Sequence, residues 1–250
     1  MKALITGASS GIGRDMARVL AGKGWDLILA ARRLDRLLEL KAMLPEAKIV
    51  CIEADLSAKE GCLALYEKVK GENIDMLINN AGFGVCGTFL KNDLDEELQM
   101  IRTNIDAVHI LMKLFLRDFA ERDSGYILNT ASSAGFMAGP MLASYYASKN
   151  YIVRLTQAVY EELRRSHINV HVSALCPGPV DTEFNRVANV RFSLKGMKSY
   201  DVARYGIEKV LAGKLIIIPG AQMKIAKFLG RFASDKLMLK ISYHIQKRKL

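Results

Sequence analysis

Cysteine is scarce and unpatterned: Cys51, Cys62, Cys86 and Cys176 share no CxxC or Cys/His spacing. A disulfide framework and a zinc site are therefore not indicated, and reduced thiols are expected. No uninterrupted apolar stretch approaches the roughly 20 residues that a spanning helix needs. Met1-Lys2-Ala3-Leu4-Ile5-Thr6 runs straight into a strand-like segment, without the charged, apolar and cleavable regions of a leader. A cytoplasmic protein is expected. The histidines, His109, His167, His171 and His244, fall at no shared spacing and read as packing residues. Repeats, low-complexity tracts and long linkers are also missing. The 250 residues, half of them hydrophobic, suit one substantial domain over residues 1–220. Acids are short too, 26 against 36 Lys and Arg, for a net charge of +10. Most of that excess sits in a tail, residues 221–250, with eight cations against Asp235 alone.

What is present is a rhythm. Short Ile-, Val- and Leu-rich runs alternate with longer segments of helical period, the pattern of an α/β doubly wound parallel sheet covered on both faces. Strands are predicted near Lys2–Thr6, Asp26–Ala31, Lys48–Glu53, Asp75–Asn79, Tyr126–Thr130, Asn169–Leu175 and Leu215–Ile218, about seven in all. Helices are predicted from Ile12 to Ala21, Asp35 to Met43, Leu94 to Arg122 and Tyr145 to Arg165. Ligands of such sheets bind beyond the carboxyl ends of the strands.

Directly after the first strand comes Thr6-Gly7-Ala8-Ser9-Ser10-Gly11-Ile12-Gly13. Glycines here let backbone approach a pyrophosphate, and the amides of the following helix offer donors and positive partial charge. The second strand ends in Ala31-Arg32-Arg33. Sheets that bind NAD usually place an acid there for the ribose 2′-hydroxyl, whereas a 2′-phosphate needs a cation. NADP is therefore preferred over NAD, with Arg32 as phosphate clamp and Arg33 as a second. The alternative is that both arginines are solvated charges at a helix start. The hydroxyls of Ser9 and Ser10 in the turn can also donate to a phosphate.

Tyr145 and Lys149 lie four residues apart, on one helix face. A unit charge about 5 Å from a phenol at an effective dielectric near 20 is worth roughly 3 kcal/mol, or about 2 pKa units. That would bring a tyrosine toward acid–base work near neutrality. The spacing alone equally describes a helix that happens to carry both residues.

The ordered set decides between these readings. TGASSGIG at Thr6–Gly13, Asp55-Leu56, NNAG at Asn79–Gly82, Asn104, Ser132, Tyr145–Lys149 and Pro177-Gly178-Pro179-Val180-Asp181-Thr182 resembles the short-chain dehydrogenase/reductase family over nearly the whole length. The resemblance implies a Rossmann-like domain that binds NAD or NADP and moves hydride between nicotinamide and a carbonyl or alcohol carbon. It implies Tyr145 as general acid/base, Ser132 bonding the substrate oxygen, and Lys149 lowering the tyrosine pKa and holding the nicotinamide ribose. Asn104 would anchor a water linking Lys149 to solvent. Ser132 is chosen over Ser133 by aligning Ala134-Gly135, and Tyr145 over Tyr146 by distance to Lys149. Cofactor contacts are expected from Gly7, Ser9, Ser10, Gly11, Ile12, Gly13, Arg32, Arg33, Asp55, Leu56, Asn80, Ala81, Gly82, Pro177, Gly178, Val180 and Thr182. Asp55 could instead cap the next helix.

On the substrate side, Glu183–Tyr200 would form a lid contributing Phe184, Val187, Val190, Phe192, Leu194, Met197 and Tyr200. The loop after Ser132 adds Phe136, Met137, Met141 and Leu142. Such walls suit an apolar substrate such as an oxoacyl thioester, a steroid-like ketone or an aromatic ketone. The same residues could simply pack on the sheet. In the tail, Ile225, Phe228, Leu229, Phe232 and Ala233 share one helix face and Lys224, Lys227 and Arg231 another; a second helix starting at Ser234 would carry Leu237, Met238, Ile241 and Ile245. A basic amphipathic tail of this kind docks on its own domain or a twin subunit, the favoured reading, or lies on an anionic membrane. A homodimer or homotetramer is expected by resemblance, and no nucleic-acid partner. The competing class is an idle NADP-binding or membrane-surface scaffold, which would have no reason to keep Asn104, Ser132, Tyr145 and Lys149 together.

Overall fold

The computed structural model describes residues 1–184 and 196–247. The expected lid residues Val187, Val190, Phe192 and Leu194 lie outside these, as do Arg248, Lys249 and the side chain of Arg231. Seven parallel strands form one sheet: β1 (Lys2–Thr6), β2 (Asp26–Ala31), β3 (Ile49–Glu53), β4 (Met76–Asn79), β5 (Gly125–Thr130), β6 (Val170–Leu175) and β9 (Ile216–Ile217). Their spatial order is β3-β2-β1-β4-β5-β6-β9. A separate short ribbon pairs β7 (Val180–Asp181) with β8 (Met197–Lys198). The helices are α1 (Gly11–Ala21), α2 (Leu34–Ala42), α3 (Lys59–Val69), α4 (Leu94–Ile101), α5 (Ala107–Glu121), α6 (Ala143–Arg165), α7 (Ser199–Leu211), α8 (Ala221–Leu229) and α9 (Asp235–Lys247).

Alternating strand residues serve opposite faces, as the pleat requires. Ala3, Ile5, Leu27 and Leu29 pack with Met16 and Leu20 of α1 and Val202 and Ile207 of α7. Leu4, Ile28, Leu77 and Ile127 pack with Leu65 of α3, Phe115 and Phe119 of α5 and Leu163 of α6. Both faces are covered, which is why the strands read as continuous hydrophobic runs. The strand order reverses between β1 and β4, the crevice where ligands of such sheets bind. At that point the Thr6 hydroxyl accepts from the backbone amides of Asn80 and Ala81, at 3.0 and 3.1 Å, fastening the two strand ends together.

The single helix expected from Leu94 to Arg122 is interrupted. Residues Arg102–Asp106 form a π-helical segment between α4 and α5. Such insertions break the regular ladder and re-aim a side chain. Here the re-aimed residue is Asn104, fully buried at the middle of the segment. Nothing in hydrophobic period distinguishes a π turn from the α-helix around it.

Candidate active site

A cavity of about 440 Å³ runs along the carboxyl ends of the strands. One end is the glycine-rich turn. Gly7 has a φ of +64°, and a Cβ there would stand 2.7 Å from Ala81 Cα. A Cβ on Gly13 would stand 2.3 Å from Asn80 Nδ2. That amide donates to the carbonyls of Thr6 and Gly7, so bare backbone at Gly13 is what lets Asn80 hold the turn. The Ser10 side chain does not cap α1, which leaves its first amides toward the cavity. This cradle fits the phosphates of a dinucleotide.

Of the residues expected at the cofactor, Gly7, Ser9, Ser10, Gly11, Ile12, Arg32, Arg33, Asp55, Leu56, Asn80, Ala81, Gly82, Pro177, Gly178, Val180 and Thr182 all line the cavity. Gly13 stands behind the wall. Asp55 does not cap α3: it accepts the Ser57 amide at 2.9 Å, and that bond, aided by the Arg32 charge, holds its carboxyl below the usual range. The two arginines differ in their ties. Arg33 donates to the hydroxyls of Ser9 and Ser10, each at 3.2 Å, and pairs with Glu183 at 3.2 Å. Glu183 also takes Arg36 at 2.7 Å, and these two arginines hold its carboxyl below the usual range. Sequence reasoning missed Glu183 and Arg36, because their partners lie about 150 positions away.

The other end gathers Ser132, Tyr145 and Lys149 on the cavity wall. Ser132 hydrogen-bonds the Tyr145 hydroxyl. Lys149, almost fully buried, donates from Nζ to the Thr130 carbonyl at 2.9 Å, and Nζ lies 5.8 Å from the centre of the Tyr145 ring. Loss of solvent dominates both titrations. Burial raises the Tyr145 phenol to about 12 and lowers the Lys149 ammonium to about 8. The expected lowering of the phenol by Lys149 is not found: what opposes burial is the bond to Ser132. Asn104 does not reach the cavity: its amide donates to the Phe83 carbonyl and to Ser148 Oγ, at 2.9 and 3.2 Å, and accepts the Phe83 amide at 3.1 Å. It holds the Gly82-Phe83 turn against α6. The backbone carbonyl of Thr130 is the partner no side-chain motif could reveal.

The expected substrate wall is only partly assembled. Phe184 lies 5.4 Å from the Tyr145 ring, and Leu142 and Tyr146 also line the cavity. Phe136 instead packs with Cys176 and Met223, Met197 joins the core, and Tyr200 sits under Arg18 at 5.2 Å. Met137 and Met141 also lie outside the lining. No disulfide links the cysteines, and burial raises the Cys176 thiol to about 12, as suits an inert packing residue. Among the described residues no group of His, Cys, Asp and Glu could hold a metal.

The model of the short chain dehydrogenase family matches residues 1–191. The chain belongs to that family. It is an NAD(P)-dependent oxidoreductase acting on CH–OH or C=O groups, and its fold is the family's. A short-chain dehydrogenase of Sphingobium yanoikuyae in complex with NADPH superposes with a TM-score of 0.85 at 28% identity, covering 95% of this chain and 94% of the other. A short-chain dehydrogenase/reductase of Burkholderia phymatum in complex with NAD gives 0.83 at 25% identity, over 91% and 92%. A very-long-chain 3-oxoacyl-CoA reductase of Mycosarcoma maydis is 34% identical over 67% of this chain, a match that spans 50% of that relative. No described helix is long and apolar enough to cross a membrane.

Proposed function

We propose that this dehydrogenase uses NADP(H) to interconvert an apolar ketone and its secondary alcohol. The observation that carries this reading is the polarity of one cavity, with Arg32 and Arg33 at one end and Leu142, Phe184 and the Ser132/Tyr145/Lys149 group at the other. β2 closes on Ala30 and Ala31, so the strand end itself offers no carboxylate to a ribose 2′-hydroxyl. The bound nicotinamide would supply or accept the hydride. The residues do the rest. Gly7, Gly11 and the amides of α1 seat the phosphates, while Arg32 and Arg33 face the 2′-phosphate. Ser132 donates to the substrate oxygen and Tyr145 delivers its proton, both stabilising negative charge as it grows there. Lys149 holds the nicotinamide ribose, and the buried Asn104 fixes the turn beside it. A phenol at about 12 is protonated at neutral pH and ready to act as an acid. Reduction should therefore be flat through neutrality, and oxidation should rise with pH.

The apolar wall, together with the likeness to a 3-oxoacyl-CoA reductase, favours long-chain oxoacyl thioesters over small polar ketones. NADPH consumption against oxoacyl thioesters, steroid ketones and aromatic ketones tests this directly. Turnover with at least one apolar ketone, absent in Tyr145→Phe while that variant still binds NADPH by fluorescence titration, is the expected result. Full turnover by Tyr145→Phe would sink the mechanism, and use of small polar ketones alone would sink the substrate class.

A further inference from the structure

Both tail helices are turned inside out. A helix lying on its own domain normally buries its apolar stripe. α9 instead turns Ser242 and Gln246 inward, 5% and 2% exposed, where Ser242 donates to the Ala138 carbonyl at 3.1 Å and Gln246 hydrogen-bonds the Tyr146 hydroxyl. α8 turns Met223 toward Gly178 and Lys227 over the Phe136 ring at 4.4 Å. The apolar side chains look outward: Ile225, Phe228, Leu229 and Phe232 are 57 to 77% exposed, with Ile241 and Ile245 nearly half exposed beside them. Phe228 and Phe232 stack edge to face at 5.4 Å, one aromatic knob in water. The tail is therefore anchored to the domain by Met223 and a few polar contacts, and it displays most of the apolar surface that anchoring usually consumes. An exposed patch of this kind marks an interaction site.

Charge selects the occupant. The tail carries eight cations and one acid, and Lys224, Lys236, Lys240 and Lys247 are exposed around the apolar face. A second copy meeting this face across a two-fold axis would set one cationic tail against another, and juxtaposed like charge is costly. Nucleic acid would satisfy the cations and leave the phenylalanines in water. An anionic bilayer satisfies both, taking the apolar side chains below its headgroups while the lysines meet lipid phosphates and carboxylates. We infer that α8 and α9 dock this dehydrogenase on anionic membrane surfaces. Gly178 and Tyr146, which the tail touches, line the active-site cavity, so docking brings the mouth of that cavity beside the lipid. Docking stands without the assigned substrate class; only delivery of an apolar ketone from the bilayer rests on it.

Flotation of the full chain with phosphatidylcholine vesicles, with and without phosphatidylserine, reads the docking without any turnover. The wild type should float with phosphatidylserine, and the floating fraction should fall at least about tenfold without it or at high salt. Phe228→Ser with Phe232→Ser should stay at the bottom while its melting temperature is unchanged. Lys236→Glu with Lys240→Glu, on exposed positions that cannot unfold the domain, should do the same. A wild type that ignores phosphatidylserine overturns the inference. So does a serine variant that still floats but sediments as a smaller species than the wild type, which would assign the face to a second copy.

Discussion

The two ends of the cavity are built by different means. The cofactor end is backbone: Gly7 and Gly13 leave room, Thr6 fastens β1 to the Asn80-Ala81 turn, and α1 offers its amides. The other end is buried polar side chain, with Lys149 held by a carbonyl and Asn104, behind the wall, by a backbone turn. Backbone geometry tolerates no added atom, whereas a desolvated charge tolerates replacement and charges for its own presence. Stability and function should therefore move together at the first end and apart at the second.

Lys149→Met should break that comparison most visibly. Removing the cation from the ribose and the phenol should lower turnover by roughly 10²–10⁴-fold. The fold should gain. Burial lowers Lys149 from 10.5 to about 8, so below pH 8 the folded chain carries a strained cation whose removal is worth at most about 3 kcal/mol, offset by about 1 for the lost Thr130 bond. Between about pH 8 and 10.5 the unfolded chain binds more protons than the folded one, so wild-type stability climbs relative to the variant as pH rises. Denaturant melts of both proteins across that window check the sign. A variant less stable than wild type at pH 7 would show that Lys149 is held by more than its burial cost.

Gly13→Ala tests the other end, where both properties should fall. Its methyl would stand 2.3 Å from Asn80 Nδ2 and 2.6 Å from the Gly7 carbonyl, forcing apart the bonds that shape the turn. Overpacking of this sort costs about 1–3 kcal/mol. NADPH affinity, read by fluorescence titration, should drop by about tenfold or more for a similar misfit in free energy. Unchanged affinity with lowered stability would separate the turn from the cofactor.

The same contrast explains what could be read from the chain. Glycine turns and buried strands carry their geometry in local sequence, so β1, β2 and the Thr6–Gly13 turn are found at their expected places. Tyr145 and Lys149 share a helix and were equally legible. Asn104 was identifiable as a residue but not as the centre of a π segment, because one inserted residue leaves the hydrophobic period intact. The turning of the tail was hidden for another reason. Amphipathicity names a helix's two faces but does not say which one the domain will take, and only Ser242 and Gln246 meeting Ala138 and Tyr146 decide it.

Glu183 lies between the two ends and offers the finest test. Its carboxylate sits on Arg33 and Arg36, just where cations are needed for a 2′-phosphate, and Arg33 also spans to Ser9 and Ser10. An acid there competes with phosphate for the same guanidinium. Glu183→Gln keeps the shape and removes the charge, so NADPH should bind about threefold tighter, the scale of a solvent-exposed pair. NADH lacks the phosphate and should bind as before. Since exposed charges are screened, the gain should fade at high salt. Calorimetric titration with both cofactors at two ionic strengths reads all three. An equal change for NADPH and NADH would mean that Glu183 acts through the glycine-rich turn, and that the cofactor's phosphate does not meet Arg33.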